Sequence, residues 1–334
     1  MQGRLENKIR VENLIQQKLA QMPDYMGKFY LSMRSREHTT KNRYITNVSR
    51  FLLHYGNGAY PTENILKKIT SFDIQSYMTD IQYYYDKNGN IKEMKETTQC
   101  IIYASLASFF TFLARANFID KNPFDNDMIE RPRTKENEVV FLTPDEVRTV
   151  EHTIMNGAGN ELSVAKQKNW KYRDVLLFRI PIVNGLRVTA LSEINVEDID
   201  LDNRKIRVVE KGGIEKTVDF DFKTGQYIGM WLSERKRLLK GADCNALFIS
   251  NRRTRMTTTS IENVIDKYTK CIEGKHITPH KLRSTCGTNV YQETKDIYLV
   301  SKVLGHKNTM PTRRYAAVFS SDITNAVNSV ASLY

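Results

Sequence analysis

TPHKLRSTCGTNVYQETKDIYLVSKVLGHKNTMPTRRYAAV, residues 278–318, carries two histidines in short Pro- or Gly-marked motifs, an arginine one helical turn after the first of them, and a tyrosine beyond the second. His280 and Arg283 stand at i and i+3, so on a helix they share a face. Working outward, Arg187 follows the tripeptide Asn184-Gly185-Leu186 at a loop-to-helix junction. Two guanidiniums (Arg187, Arg283), two imidazoles (His280, His306) and a phenol (Tyr315) suffice to attack a phosphodiester through a covalent tyrosine intermediate without an obligatory metal. Planar arginine forks suit the spreading of phosphate charge over fixed donors. Each piece alone reads as ordinary solvated charge, and the combination carries the weight.

Composition narrows the partners. The 334 residues are 40% hydrophobic with a formal charge of +12, enough chain for two cored domains and an excess of Lys and Arg suited to a polyanion such as nucleic acid. The charged N-terminal MQGRLENKIRVENLIQQ is no secretory signal, and the near-apolar stretch Ile101 to Ala114 is too short to span a bilayer. These features predict a cytoplasmic chain with no membrane partner. Cys100, Cys244, Cys271 and Cys286 lie far apart without a CxxC pair, which signals neither a zinc cluster nor a disulfide framework. Cys286, three residues after Arg283, reads as helix packing.

Periodicity predicts a mainly α protein with a small antiparallel β-sheet, in two domains. Residues 1–130 read as four or five helices, among them Thr39 to His54, about Ile74 to Tyr85 before the turn DKNGN, and Thr97 to Arg115. Residues 131–140, with Pro132 and a charge cluster, form an extended linker. Residues 141–334 open on TPDEV, with a capping Thr and Pro at the first helical position. Further on, a buried helix spans Tyr172 to Val183, and Ile206, Val208, Val218 and Phe220 alternate about a Lys-Gly-Gly turn as a hairpin.

The order Arg187, a hairpin lysine, HKLR, LGH and Tyr315 resembles the tyrosine recombinase family, also called phage integrases, and most closely its Xer and mobile-element branches. LGHKNTMPTRRY is similar to the family's LGH with the nucleophile nine residues after the His, and TPHKLRST to its HxLRH[ST]. The resemblance implies a helical, SAM-like core-binding domain followed by a mixed α+β catalytic domain that uses no cofactor and no metal. It implies that Arg187 and Arg283 hold the scissile phosphate while Tyr315 attacks it, leaving a 3′-phosphotyrosine and a free 5′-hydroxyl, so that a second strand reseals the ester without ATP. His280 would assist proton transfer at the tyrosine, since a phenol of ordinary pKa near 10 needs help at neutral pH; His306 would donate a hydrogen bond to the phosphate. For the lysine that protonates the leaving oxygen, the resemblance favours Lys211 over Lys216. The sequence departs from the family at Ala190, where an acid often follows the first arginine, which leaves Asp198 as the candidate partner of Arg187, and at Ser284, where His is common.

Phosphate grip is expected from Arg34, Arg36, Lys41 and Arg43 at a helix start, from linker residues Arg131, Arg133 and Lys135, and from Arg252, Arg253 and Arg255 before a helix beginning near Ser260. The resemblance implies double-stranded DNA with paired core sites, a homo-oligomer that acts as a tetramer on DNA, and an accessory excision or DNA-bending protein. Ile323, Val327 and Val330 give the tail an apolar helix face, suited to docking on a neighbouring protomer or folding back on its own domain. The expected activity is strand exchange for integration or excision of a phage or mobile element. Alternatives are Xer-like resolution of chromosome or plasmid multimers, and a catalytically idle DNA-binding regulator on the same scaffold. A metal-dependent nuclease would need carboxylates clustered about the histidines, which the sequence lacks.

Overall fold

Phe51, Phe109 and Phe110 are fully buried and meet edge-to-face, with ring centroids 5.9 and 5.5 Å apart along the chain 51–110–109, the geometry that aromatic quadrupoles prefer. They centre the first of two units, residues 1–136 and 137–334, in a computed structural model that describes residues 2–126, 128–133, 138–210, 213–306 and 310–316.

The first unit runs α1 (Gln2–Leu19), α2 (Asp24–Ser32), α3 (His38–Tyr55), α4 (Glu63–Leu66), α5 (Ser71–Asp80), β1 (Tyr83–Tyr85), β2 (Ile91–Glu93) and α6 (Glu96–Arg115). The apolar face of α3, with Val48, Phe51 and Leu52, packs on α6. The buried Asn47 amide between these helices is satisfied by donating to Ser105 Oγ at 3.0 Å, as a polar group in a core requires. Helix α6 is longer than the apolar stretch read from the sequence. It is the one helix among the described residues long and apolar enough to cross a membrane, and it commits Ile102, Leu106, Phe109, Phe110 and Leu113 to the core of this unit.

The helix expected through Tyr85 stops at Asp80. Tyr83–Tyr85 is instead a strand paired antiparallel with Ile91–Glu93. Consecutive aromatics fit a pleated surface, and the Asp86 carboxylate accepts the backbone N–H of Asn88 and Asn90 at 2.9 and 3.0 Å, closing the turn between the strands.

The second unit opens with α7 (Pro144–Asn156), started by a capping box between Thr143 and Glu146. It continues through α8 (Glu161–Gln167), α9 (Lys171–Asn184), α10 (Val188–Glu193), β3 (Ile199–Asp200), β4 (Lys205–Val209), β5 (Glu215–Asp219), α11 (Phe222–Leu239), α12 (Thr258–Thr269), α13 (Pro279–Thr294), α14 (Ile297–Leu304) and, after a turn at Met310–Thr312, α15 (Arg313–Ala316). Helix α9 is buried nearly all round, with Val175, Leu176, Leu177 and Phe178 inside, and α7, α11 and α13 pack against it. The sheet is antiparallel in the order β3-β4-β5, with Ile206 opposite Val218 and Val208 opposite Lys216. Ile206 and Val208 turn inward, while Lys205 and Arg207, alternating with them, stay exposed.

Beneath α9 lies a buried polar network. Asp174 is 1% exposed and accepts from Arg173 Nε and Nη2 at 2.8 and 2.7 Å and from the Tyr268 hydroxyl at 2.9 Å; Arg173 Nη1 donates to the Ile249 carbonyl at 2.8 Å. Burial, then the charge of Asp174, pushes the Tyr268 phenol far above its ordinary pKa, so the hydroxyl stays a donor. Removing one partner from a buried pair strands the other. Asp174→Ala is therefore expected to lower unfolding free energy by about 3–5 kcal/mol in urea denaturation of the whole chain; a midpoint unchanged from wild type would show the network to be dispensable.

Candidate active site

Two left-handed glycines place the site. Gly185, at φ +63, caps α9, and a Cβ there would come within 2.6 Å of Leu304 Cδ2; Gly305, at φ +59, caps α14, and its Cβ would lie 3.0 Å from Glu210 Oε2. Glycine alone accepts both the backbone conformation and the close approach. The first turn delivers Arg187 to the N-cap of α10, and the second delivers His306.

Arg283, on α13, lies between them. It is 3% exposed, and its Nη1 and Nη2 donate to the carbonyls of Gly185 (2.5 Å) and Leu304. Burial, with the charge of Arg187, lowers its pKa to about 10, against the pull of Glu210, which still leaves it a cation at neutral pH. Arg187 Nη1 donates to Glu210 Oε2 at 2.5 Å, and Lys216 Nζ lies 2.8 Å from Glu210 Oε1. Burial works to raise the Glu210 pKa, but the hydrogen bond and charge of Lys216 and the charges of Arg187 and Arg283 outweigh it and hold the carboxyl below its ordinary value.

His280 stands one turn before Arg283 and is exposed. Desolvation and the charges of Arg314, Arg283, Lys281 and Arg187 lower its pKa; since the side chain reaches solvent, the charges carry that argument. His306 Nδ1 is 2.8 Å from the buried Thr312 Oγ1. Burial first, then Arg283, Arg187 and Arg314, pushes its pKa down to about 4, so this imidazole is neutral at pH 7. Tyr315, on α15, is fully buried among Cys286, Val300 and Leu304. Its ring rests against Gly287 of α13, where a Cβ would be 2.9 Å from Cζ, and its hydroxyl accepts from Arg314 Nη2 at 3.0 Å. Burial raises the Cys286 thiol to about 12, which leaves it an unreactive packing residue.

Arg187, His280, Arg283, His306 and Tyr315 thus fall in one region of the second unit. Lys216 joins them through Glu210, whereas Lys211 lies outside the described residues, as do Lys135 and the tail positions Ile323, Val327 and Val330. Asp198 is not the partner of Arg187. It pairs with Arg207 at 2.7 Å and caps the turn by accepting from Asn195 N; Glu210 takes the place expected of it. Thr312, Arg314 and Glu210 were not singled out in the sequence, although the missing acid at Ala190 signalled that a carboxylate for Arg187 had to come from elsewhere.

Among the expected phosphate contacts, Arg34, Arg36, Arg43, Arg131, Arg133, Arg252 and Arg253 are exposed. Arg36 lies 4.6 Å over the Tyr44 ring and, with Arg115 and Arg131, lines a groove of about 760 Å³ in the first unit. Lys41 departs from expectation: it is buried, its ammonium 4.8 Å over the Tyr30 ring. Arg255 is also turned inward, donating to the Ser192 carbonyl at 2.8 Å and Asn195 Oδ1 at 2.5 Å, so it braces the loop after α10. Arg252, Thr257, Ser260 and Lys267 line a second groove of about 770 Å³ at the start of α12.

Residues 140–321 match the model of the phage integrase family. Tyrosine recombinase XerC of Vibrio vulnificus is 30% identical over 228 residues, 68% of this chain and 68% of that protein. Tyrosine recombinase XerS of Streptococcus agalactiae is 26% identical over 342 residues, covering 92% and 96% of the two chains. The crystal structure of the XerH site-specific recombinase bound to palindromic difH substrate in a post-cleavage complex shares the fold, with a TM-score of 0.68 at 18% identity over 96% of this chain and 88% of that one. The chain belongs to the phage integrase family and is a tyrosine recombinase, a DNA strand-exchange enzyme.

Proposed function

We propose that Tyr315 is the nucleophile that cleaves one DNA strand, and that Arg187 and Arg283 hold the phosphate it attacks. The observation that carries this reading is the gathering of Arg283, Arg187 and Arg314 about His306, whose pKa burial first and then these three charges lower to about 4, next to Tyr315, whose hydroxyl accepts from Arg314. An excess of fixed cations around neutral donors is the environment a phosphorane-like transition state requires. The phenol's bond to phosphorus forms as the bond to the 5′-oxygen breaks, and its proton passes to His280, whose pKa is lowered by desolvation and by the positive charges around it. His306 turns Nδ1 to Thr312, which leaves Nε2 to donate to a non-bridging oxygen. Lys211, between β4 and β5 in the sequence, supplies the proton to the leaving 5′-oxygen. In the structure the Tyr315 hydroxyl is covered, so cleavage requires its exposure.

Grip on DNA comes from Arg34, Arg36 and Arg43 of the first unit, Arg131 and Arg133 of the linker, and Arg252 and Arg253 of the second, which face solvent and meet phosphates rather than bases. The chain acts in the cytoplasm on paired core sites, as a homo-tetramer joined through its tails, and an accessory DNA-bending or excision protein sets direction. The exchange serves integration and excision of a phage or mobile element. A second reading, resolution of chromosome or plasmid multimers, is favoured by the end-to-end likeness to XerS.

Incubating the chain with nicked genomic fragments of its source in EDTA, trapping in denaturant and sequencing the attached DNA tests both points. Wild type is expected to leave 3′-linked adducts and Tyr315→Phe none, with binding intact; an equal yield from Tyr315→Phe would remove the nucleophile assignment. Adducts at the edges of the segment carrying the chain's own gene mean a mobile element, and adducts at one distant chromosomal locus mean resolution.

Acid should loosen the pocket. With the folded pKa of His306 near 4 and an ordinary value of 6.5, the unfolded chain binds more protons between those limits, so this residue's contribution to stability is lost as pH falls from about 6.5 to 4. His306→Asn is expected to flatten the decline of the melting temperature between pH 7 and 5; an identical slope would show that His306 does not titrate there.

A further inference from the structure

Glu210 is a carboxylate for which strand cleavage has no direct use, set among groups for which it has. It is 6% exposed, directly after β4, and its two oxygens are divided between Arg187 of α10 and Lys216 of β5. A Cβ on Gly305, the residue before His306, would press on the same carboxylate at 3.0 Å. One side chain therefore meets the elements that carry Arg187, His306 and Lys216 of β5. A buried carboxylate is costly unless paired, and a strand end with no other task would be cheaper as an apolar residue.

Deepening the strand-exchange reading above, we propose that Glu210 is a positioning residue. It aims the Arg187 guanidinium into the phosphate pocket, ties the hairpin to it, and holds Lys216 inward as a counter-ion rather than as the proton donor. Arg187 is one-third exposed, in contrast to Arg283, and Glu210 is the ion-pair partner found for its guanidinium among the described residues. With that bond removed, Arg187 keeps its charge and loses its direction. Glu210 also offsets one positive charge in a site whose remaining nearby groups are cationic. Removing it should thus act in opposite senses on two measurements: a small round anion, which any orientation of the cations satisfies, gains; an in-line displacement, which needs a fixed fork, loses.

The test compares wild type, Glu210→Gln and Glu210→Asp, full length, by the rate of covalent adduct formation on nicked fragments and by thermal-shift titration with inorganic phosphate, melting temperatures serving as the fold control. The expected result for Glu210→Gln is adduct formation about tenfold slower or worse with DNA binding retained and phosphate bound about threefold more tightly, and partial recovery of the rate in Glu210→Asp. An adduct rate for Glu210→Gln within about twofold of wild type overturns the proposal. So does a parallel loss of rate, phosphate affinity and melting temperature, which is what a merely structural residue would give. If wild type itself forms no adduct, the strand-exchange reading has failed on its own account, and the phosphate titration alone decides: affinity unchanged or weakened in Glu210→Gln overturns the proposal.

Discussion

The buried guanidinium of Arg283 is the constraint on which the site depends. A cation at 3% exposure is tolerable only where its donors are met, and here two of them are met by backbone carbonyls at the end of α9 and the end of α14. Those carbonyls adjoin the two left-handed glycine turns, so a single side chain fixes where the chain leaves both helices. Arg187 and His306 are the residues that follow. Backbone hydrogen bonds do not neutralise the guanidinium, however, and its charge is felt by both imidazoles and by Glu210. The same side chain thus orders the site and keeps it positive, and on the proposed reading an arriving phosphate completes a charge balance that the protein leaves open.

What was legible in the sequence was chemical type in a fixed order. Arg187, His280, Arg283, His306 and Tyr315 stand in short motifs marked by Gly or Pro, and those markers proved to be the turns that aim the side chains. Glu210 was illegible because its meaning depends on register: only once Val208 is set opposite Lys216 does the residue after Val209 fall between that lysine and Arg187. Asp198 looked as good a partner, yet it lies at the third position of a capping turn, where its carboxylate is consumed by Asn195 N and by Arg207. Sequence shows which carboxylates exist and not which donors reach them first.

The same limit explains the basic residues. Arg253 and Arg255 are two positions apart in one loop; the first faces solvent and the second donates to Ser192 and Asn195. Lys41 shares its helix start with Arg43 but lies against Tyr30. A charge count reads all four as grip on DNA, while burial separates the braces from the cations left facing solvent. Tyr83–Tyr85 failed for a different reason. Local propensity is a weak guide over three residues, and the deciding feature, the Asp86 carboxylate taking the turn's two amides, acts from outside the segment.

The depressed imidazoles give the pocket a direction in time. Before DNA arrives, burial and then the surrounding cations lower the pKa of both His280 and His306; on the proposed assignment the first accepts a proton and the second donates a ring N–H. A bound phosphate places negative charge among the same cations, and a nearby opposite charge raises the pKa of an imidazole. Basicity at His280 therefore rises with the phosphate in place, which on the proposed assignment is when the Tyr315 phenol gives up its proton. On the same assignment, the free enzyme, with Tyr315 covered and the basicity of His280 lowered, is held back from attack, and the substrate's own charge contributes to releasing it.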